Sequence, residues 1–433
     1  MAALARVIYV GRRSLSRRLQ TAAAAAAASS SLSIAPSESS DRRSLPPLLT
    51  KLLREPESSV KMVLDSDEES RGLPAICSGD APFWEQLLVS LRPSSPRKSY
   101  LVLEWKLERL LAGDVREHVS FSNLISLCAK LENLPFAVKV FTAMESRGIR
   151  PNTAVFNSLI LAALSCGNVV NALSLFEIMR MREDCDPDLG TYNALIAMYS
   201  RRGDGDGMLG WYAAAKSAGF SPDLHTYEAL ITGFIRAGRF EDADRYFEEM
   251  ASSGIIPNVG ILECVLSGLC RRKKLAEAKE FWRFLIAGGW EVEEGMVEKI
   301  LALYAELGRV EEMEELLETM QHKPSSSIFL PQVHCGVIRL YASSNRLDDV
   351  EYSVGRMLKN GMQLKCSRDV EAIISCYFRC EAYERLDIFL ERVGSSYRLS
   401  KAAYDLLVAG YRRVGLHEKL ELVKKEMKNR GVA

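Results

Sequence analysis

Few residues of this chain have the type and spacing that metal binding or catalysis would need. Ten cysteines are present, but none forms a Cys-x-x-Cys pair, and Cys376 and Cys380 have no histidine close by in the sequence. Most cysteines, such as Cys128, stand among apolar residues, which indicates buried thiols rather than zinc ligands. We therefore expect no metal, no cofactor and no small-molecule substrate.

A second pattern is a repeated segment with one polar substitution. The segment TYNALIAMYSRRG begins at Thr191, and TYEALITGFIRAG begins thirty-five residues later at Thr226, with Glu228 in place of Asn193. Steps of about thirty-five residues place nine such units at 118–152, 153–188, 189–223, 224–258, 259–293, 294–328, 331–365, 366–400 and 401–433. A fixed period of this length is typical of repeat architectures.

Each unit has the apolar spacing of two amphipathic helices. Glycine recurs at the fifteenth place, where the first helix would end, and glycine and proline recur near the close of the unit. Because one such hairpin cannot bury its apolar faces alone, we predict an all-α fold, a superhelical α-solenoid of about nine helix-turn-helix repeats. Adjacent Asp348 and Asp349 occupy the place of Glu241 and Asp242 in an earlier unit, so they are interpreted as ordinary second-helix residues.

The part before the repeats differs in composition. Residues 1–50 carry 7 basic and 2 acidic side chains and an alanine and serine tract, which predicts an organelle transit peptide, mitochondrial rather than chloroplast in type. Residues 51–82, with DSDEES and little aromatic content, are predicted to be a disordered linker. Residues 83–117 are predicted to form an N-terminal helical cap on the first repeat.

The charge distribution gives no overall attraction for a polyanion. The whole chain is neutral, and residues 1–50 have a net charge of +5, so the remainder carries −5. Any contact with nucleic acid must therefore come from local geometry. No uncharged apolar run approaches the length of a membrane-spanning helix, so membrane insertion is not expected.

The units resemble the pentatricopeptide repeat family of organellar RNA-binding proteins, in its simple-repeat class from plants. The resemblance lies in the unit length, the opening TYNALI and the closing GIIPN, and it is strong over 118–258. It implies one-base-per-repeat recognition of single-stranded RNA, in which the fifth and last residues of a unit contact the base. The base-reading pairs carried over are Ser122 with Asn152, Asn157 with Asp188, and Asn193 with Asp223. By the family's code these pairs select adenine, uracil and uracil.

The fifth place changes after Asp223. It holds Glu228, which pairs with Asn258, and then Glu263 and Glu298. Glutamate lacks the donor of an asparagine amide and brings negative charge near a polyphosphate. We therefore expect conventional base reading to end at Asp223.

A basic residue recurs at the thirteenth place of several units. These residues are Lys130, Arg201, Arg236 and Arg271. The resemblance implies phosphate contacts, whereas the position near a helix C-terminus is also favourable for a cation without any ligand. The two interpretations are compatible, and both are retained.

Two functions remain open from the sequence. One is a mitochondrial RNA-binding factor for transcript processing, stability, splicing or translation, without catalysis. The other is a protein scaffold, for example within the mitochondrial ribosome, in which the acidic stretch 291–318 meets a basic protein. An enzyme is not expected, because the chain lacks the His-x-Glu and Cys-x-x-Cys pattern of a deaminase.

Overall fold

The computed structural model describes residues 47–71, 81–113, 118–182, 184–288, 290–321, 328–364, 366–394 and 397–430. These residues form α-helices, a 3-10 helix at Glu57–Ser59, a 3-10 turn at 328–329 and connecting segments, and none of them lies in a β-strand. The predicted all-helical class is confirmed. No helix in these ranges is both long and apolar enough to span a bilayer.

The helices are numbered here in chain order. They are α1 (Pro47–Arg54), α2 (Val60–Arg71), α3 (Ala81–Leu91), α4 (Pro96–Ala112), α5 (His118–Lys130), α6 (Leu134–Ser146), α7 (Thr153–Ser165), α8 (Val169–Arg180), α9 (Leu189–Arg202), α10 (Gly205–Ser217), α11 (Leu224–Ala237), α12 (Phe240–Ser252), α13 (Val259–Arg271), α14 (Leu275–Gly288), α15 (Glu294–Glu306), α16 (Val310–Gln321), α17 (Leu330–Ser343), α18 (Leu347–Lys359), α19 (Ser367–Arg379), α20 (Tyr383–Gly394), α21 (Lys401–Val414) and α22 (His417–Asn429).

Helices α5 to α22 form nine hairpins, called repeats 1 to 9. They belong to two compact units, an N-terminal unit that ends at Ile256 and a C-terminal unit that begins at Pro257. Within each unit the first helices of neighbouring repeats pack side by side, as α5 does with α7 and α17 with α19. The α-solenoid architecture predicted from the sequence is therefore observed in both units.

Recurrent small and flexible residues fill the interior between helices. The alanines at the twentieth place, such as Ala137 and Ala172, are fully buried, which allows the two helices of a hairpin to approach closely. The recurring methionines Met144, Met179 and Met250 are also fully buried. These methionines are therefore core residues, in keeping with the adaptable packing of the thioether.

The fifteenth place of all nine repeats has a left-handed backbone. Five repeats have glycine there, with positive φ at Gly167, Gly203, Gly238, Gly308 and Gly415, and four have Glu132, Lys273, Asn345 and Glu381, with φ between 50° and 55°. Glu381 takes this place only if repeat 8 begins at Ser367, one residue after the predicted boundary, and α19 does begin at Ser367 with Cys366 as its N-cap. The turn therefore fixes the frame more reliably than the apolar pattern does.

Two glycines in the C-terminal unit should respond to alanine with opposite signs. Gly308 has φ of +64°, whereas Gly355 lies inside helix α18, and a Cβ at either residue would meet no atom within 4 Å. Gly308→Ala should lower the free energy of unfolding by about 1 kcal/mol because alanine is strained in the left-handed region. Gly355→Ala should raise it by about 0.5–1 kcal/mol because alanine favours a helix interior. Urea unfolding of both variants tests this, and effects of the same sign would contradict it.

The expectation of a disordered linker at 51–82 is wrong for residues 51–71. These residues lie in α1, the 3-10 helix and α2, and Leu52, Val60 and Leu64 are buried to 1% exposure or less. The acidic motif that suggested disorder contributes Asp65, whose carboxylate accepts from Trp105 Nε1 at 2.7 Å and from Arg109 Nη2 at 2.7 Å. Residues 72–80 lie outside the described ranges.

Helix α1 is held by a buried lysine of helix α4. Lys98 is 9% exposed, and its Nζ donates to the carbonyl oxygens of Leu52, Leu53 and Glu55 at 2.8, 3.1 and 2.7 Å. These carbonyls lie at the C-terminal end of α1, where they have no partner within the helix. Because α1 begins at Pro47, the predicted transit-peptide boundary at residue 50 falls inside a folded helix; residues 1–46 of that prediction lie outside the described ranges.

Helices α3 and α4 occupy the region predicted to be the cap and pack on repeat 1. The rings of Tyr100 and Phe136 are 5.2 Å apart, and Lys139 Nζ lies 3.0 Å from Glu104 Oε1. Trp84 and Trp105 of the two cap helices are buried, and their rings lie 6.0 Å apart. The apolar face of repeat 1 is thus covered by α4.

Candidate nucleic-acid interface

The predicted pair Asn157 and Asp188, the fifth and last residues of repeat 2, is joined by a hydrogen bond. Asn157 lies on α7, and Asp188 is the N-cap of α9, where its Oδ1 accepts from the backbone N–H of Thr191 at 2.9 Å. Asn157 Nδ2 donates to the same Oδ1 at 3.0 Å, and Thr191 Oγ1 donates to Asn157 Oδ1 at 2.6 Å. Both ends of the amide are therefore held in one orientation.

The pair Asn193 and Asp223 repeats this arrangement between α9 and α11. Asn193 Nδ2 donates to Asp223 Oδ1 at 3.0 Å, and Thr226 Oγ1 donates to Asn193 Oδ1 at 2.7 Å. Partial burial disfavours the charged form of Asp223, but hydrogen bonds from the backbone and hydroxyl of Thr226 and from Asn193 outweigh it and hold the pKa below its ordinary value. Asp223 is therefore an acceptor at neutral pH.

Each of these two networks leaves groups for a ligand. The described contacts use one N–H of each amide and the Oδ1 of each carboxylate, so a second amide N–H and the carboxylate Oδ2 remain. Asn157 and Asn193 are half-buried, and Asp188 is exposed. At the second place of repeat 3, a Cβ on Gly190 would lie 3.2 Å from Asp188 Oδ1, so this residue borders the pair without covering it. Each of the two networks therefore presents a hydrogen-bond donor beside an acceptor.

The pair Ser122 and Asn152 is arranged differently. Ser122 Oγ lies 3.2 Å from the carbonyl oxygen of Ala154 and 2.9 Å from Ser158 Oγ, and Asn152 accepts from the backbone N–H of Val155 as the N-cap of α7. Repeat 2 has Val155 at its third place, where repeats 3 and 4 have the bridging threonine. Without that hydroxyl, the Ser122 side chain contacts α7, the first helix of repeat 2, instead of Asn152. This pair is therefore not preorganised as the other two are.

The three glutamates at the fifth place have distinct surroundings. Glu228 is half-buried, and its repeat closes with Asn258, whose Oδ1 accepts from the backbone N–H of Ile261 at 2.8 Å. Glu263 Oε1 lies 2.6 Å from Lys299 Nζ of the next repeat, and Glu298 is exposed. At Glu263 the negative charge is thus compensated within the protein.

Sequence reasoning missed two features of this surface. The bridging residues Thr191 and Thr226 are buried, and each completes a capping box with Asp188 or Asp223, a pairing that the Asp-x-x-Thr spacing could have revealed. In repeat 8 the one-residue frame shift hid a further pair, because Ser400 Oγ donates to Glu371 Oε1 at 3.1 Å. The fifth and last side chains therefore meet in repeats 2, 3 and 8.

The four predicted phosphate-binding cations are exposed, but three of them already interact with other residues of the protein. Lys130 forms an ion pair with Glu85, and Arg236 Nη1 donates to the carbonyl oxygen of Ser200 at 2.8 Å. Ser200 lies at the C-terminal end of the preceding first helix, so Arg236 caps that helix. Arg271 is also engaged with the protein. Arg201, in contrast, makes no ion pair or side-chain hydrogen bond with the residues that the structure describes.

The frame shift in repeat 8 adds a cation to this set. Arg379 takes the thirteenth place of repeat 8, and its Nη2 donates to the carbonyl oxygen of Ala342 at 2.6 Å. Ala342 occupies the same place in repeat 7 that Ser200 occupies in repeat 3. Helix capping between repeats is therefore one function of this place, as the position near a helix C-terminus suggested.

Comparison with known proteins identifies the repeat type. The chain matches profiles described as the PPR repeat family at residues 187–236, the pentatricopeptide repeat domain at 116–169 and 139–202, and the PPR repeat at 225–255, 295–324 and 402–432. Nothing in the described residues suggests a metal centre, since no group of three or more His, Cys, Asp or Glu side chains there could hold an ion.

Two curated relatives from plants show the same repeats. The chloroplastic pentatricopeptide repeat-containing protein PPR5 of Zea mays is 34% identical over 94 residues, which is 21% of this chain and 19% of that protein. A mitochondrial pentatricopeptide repeat-containing protein of Arabidopsis thaliana is 33% identical over 98 residues, which is 22% of this chain and 16% of that protein. The matched region thus spans less than a fifth of each relative.

A solved structure shares the fold. The crystal structure of the maize pentatricopeptide repeat protein PPR10 superposes with a TM-score of 0.56 and 19% identity, over 88% of this chain and 58% of that chain. The likeness concerns the stacked helical hairpins. The matched repeat profiles and the thirty-five-residue spacing of the segments TYNALI and TYEALI lead to one conclusion. The chain contains pentatricopeptide repeats, which the profiles match within residues 116–255, 295–324 and 402–432.

Proposed function

We propose that this protein binds single-stranded RNA in a plant organelle and acts on transcript processing, stability, splicing or translation without catalysis of its own. The supporting observation is the pair of networks Asn157–Asp188–Thr191 and Asn193–Asp223–Thr226. Each presents a fixed amide N–H beside a carboxylate oxygen. That pattern complements the N3–H and neighbouring carbonyl oxygen of uracil, and the presence of pentatricopeptide repeats favours this use.

Three base-reading pairs are proposed, and two of them are preorganised. Ser122 with Asn152 would accept adenine, and the asparagine–aspartate pairs would each accept uracil. Because Ser122 must leave its contacts with Ala154 and Ser158 to reach a base, we expect this pair to contribute least. The proposed phosphate contacts are Lys130, Arg201, Arg236 and Arg271, with Arg201 the most available of the four.

Binding of labelled oligonucleotides to the full chain tests the proposal. A twelve-nucleotide strand with one AUU among cytidines should bind more tightly than an all-cytidine strand, by about 30-fold or more, if two pairs each contribute ~1–3 kcal/mol. Fluorescence anisotropy at fixed salt measures both affinities. Equal binding of the two strands, or no binding of either, would contradict the proposal.

The alternative of a protein scaffold, including one bound to the mitochondrial ribosome, has less support. It relied on the acidic stretch 291–318, but several of those carboxylates already have basic partners. Glu306 pairs with Lys273, Glu314 pairs with Arg356 at 2.9 Å, and Glu315 pairs with both Lys279 and Arg283. Less negative charge is therefore left to attract a basic protein.

The compartment is also part of this proposal. The arginine-rich start favours the mitochondrion. The relatives are named for both organelles, PPR5 as chloroplastic and the Arabidopsis thaliana protein as mitochondrial. Imaging of the full chain with a C-terminal fluorescent tag distinguishes the two, and a cytosolic signal would contradict both.

A further inference from the structure

Three exposed apolar side chains occupy one equivalent place in the last three repeats. Tyr352, Ile388 and Leu422 are 69%, 66% and 67% exposed, and each is the twenty-second residue of its repeat, on α18, α20 and α22. The same place in repeats 1 to 6 holds Lys139, Ser174, Gly210, Arg245, Glu280 and Glu315. We call Tyr352, Ile388 and Leu422 the apolar row.

The three helices that carry the apolar row are linked side by side. Arg385 on α20 contacts Asp348 and Glu351 on α18 through Nη2, at 2.6 Å each. Lys419 on α22 contacts Asp387 on α20 at 2.5 Å. These ion pairs place the three apolar side chains on successive second helices, so that they form one row in the C-terminal unit. Contiguous exposed apolar groups of this kind mark interaction surfaces more often than isolated ones do.

Charged residues border the apolar row on both sides, with opposite signs predominating. One helical turn before each apolar residue is an exposed acid, Asp348, Glu384 or Glu418. One or two turns after are the exposed bases Lys359, Arg392 and Lys425. The exceptions are Arg385 and Lys419 on the acidic side, both in ion pairs with helices of this unit, and Glu391 and Glu426 on the basic side. Among the described residues, Glu384, Glu418, Lys359 and Lys425 have no ion-pair partner.

We propose that the apolar row is the contact surface of a homodimer whose two-fold axis runs parallel to the row. A rotation about that axis places each apolar side chain against its own copy and reverses the helix direction. The acidic border of one protomer then faces the basic border of the other. A surface of this kind is complementary to itself, as an isologous interface requires.

The size of the surface sets the expected strength. Three side chains per protomer, each with about a third of its area already covered, give an apolar centre smaller than that of a stable obligate dimer. Association also costs the translational and rotational freedom that the two molecules lose. The dimer should therefore be weak, with a dissociation constant roughly in the micromolar range, and it should weaken as salt screens the bordering charges.

Sedimentation velocity tests the inference on the nuclease-treated full chain. The concentrations run from 1 to 100 µM, a range chosen around the expected dissociation constant. The wild type should shift from monomer to dimer, and Ile388→Glu should raise the dissociation constant at least 10-fold because two like charges then meet at the axis. Val170→Ser is the matched control, since Val170 is 74% exposed on a second helix of the N-terminal unit. It should leave the dissociation constant unchanged.

Charge reversal provides an independent check. Glu384→Lys with Glu418→Lys should weaken self-association, and so should Lys359→Glu with Lys425→Glu, whereas a mixture of the two variants should form heterodimers. A wild type that stays monomeric at 100 µM, or a dimer that Ile388→Glu leaves intact, overturns the inference. A photocrosslinker at position 352 that captures only other proteins or lipid would assign the surface to a different partner and overturn it as well.

Discussion

Replacing Asn157 and Asn193 together by alanine is expected to weaken binding of an AUU-containing strand by about 30-fold or more. Each asparagine supplies the donor of one donor–acceptor pair, and a good side-chain pair with a base contributes ~1–3 kcal/mol, where 1.4 kcal/mol is tenfold in affinity. The repeats should still fold, because each threonine hydroxyl, once its asparagine acceptor is gone, can donate to the aspartate Oδ1 beside it: Asp188 Oδ1 lies 2.9 Å from Thr191 Oγ1, and Asp223 Oδ1 lies 2.8 Å from Thr226 Oγ1.

Two control variants separate base reading from other effects. Asn171→Ala removes an exposed asparagine from the second helix α8 and should leave the affinity unchanged. Arg201→Gln should weaken binding of the AUU strand and the all-cytidine strand alike and reduce the salt dependence, because a phosphate contact carries no base information. If the double asparagine variant also weakens both strands alike, Asn157 and Asn193 do not read bases.

The hairpins and their boundaries could be predicted because the relevant signals are local. The left-handed turn at the fifteenth place is visible as glycine in five repeats, and the apolar spacing on either side gives both helices. Where glycine is absent, as at Glu381, the frame could slip by one residue without any change in the apolar pattern. The structure restores the frame because φ of 55° at Glu381 marks the same turn.

The errors arise from contacts between residues distant in the sequence. Lys98 caps carbonyls 43 to 46 residues before it, and Asp65 bonds Trp105 forty residues later. A composition-based interpretation of 51–71 as disordered could not include such partners. The same limit applies to Arg236, whose contact with Ser200 joins residues 36 positions apart. This contact caps a helix, a structural function that the position of Arg236 in the sequence only suggested.

A buried histidine should make the C-terminal unit sensitive to acid. His334 on α17 is fully buried, and neither ring nitrogen has a hydrogen-bond partner among the described residues. It occupies the place of Phe121, Phe156, Tyr192 and Tyr227, all in the core. Burial, with a smaller contribution from the nearby Arg356, lowers the pKa of His334 to about 4, while Glu314 opposes the shift. The imidazole is therefore neutral in the folded protein at physiological pH.

The sign of the pH dependence follows from this lowered pKa. Between pH 6.5 and 4 the unfolded chain protonates this histidine and the folded protein does not, so the free energy of unfolding falls as pH decreases through that range. The folded value of about 4 against an ordinary value of 6.5 corresponds to a loss of about 2 kcal/mol at pH 5 relative to pH 8. Other carboxylates contribute to acid sensitivity, so the comparison must be between variants.

His334→Leu should remove this component and flatten the difference between pH 8 and pH 5 by about 2 kcal/mol. At pH 8 the variant should be at least as stable as the wild type, because leucine leaves no unsatisfied ring nitrogen in the core and is similar in size. Hydrogen exchange of the α17 amides, corrected for intrinsic rates, measures this locally, which suits an array whose repeats can open separately. His417→Gln, at an exposed histidine of α22, should keep the wild-type dependence. If His334→Leu also keeps the wild-type pH dependence, then the His334 imidazole of the wild type gains a proton without cost, and water must reach the core of repeat 7.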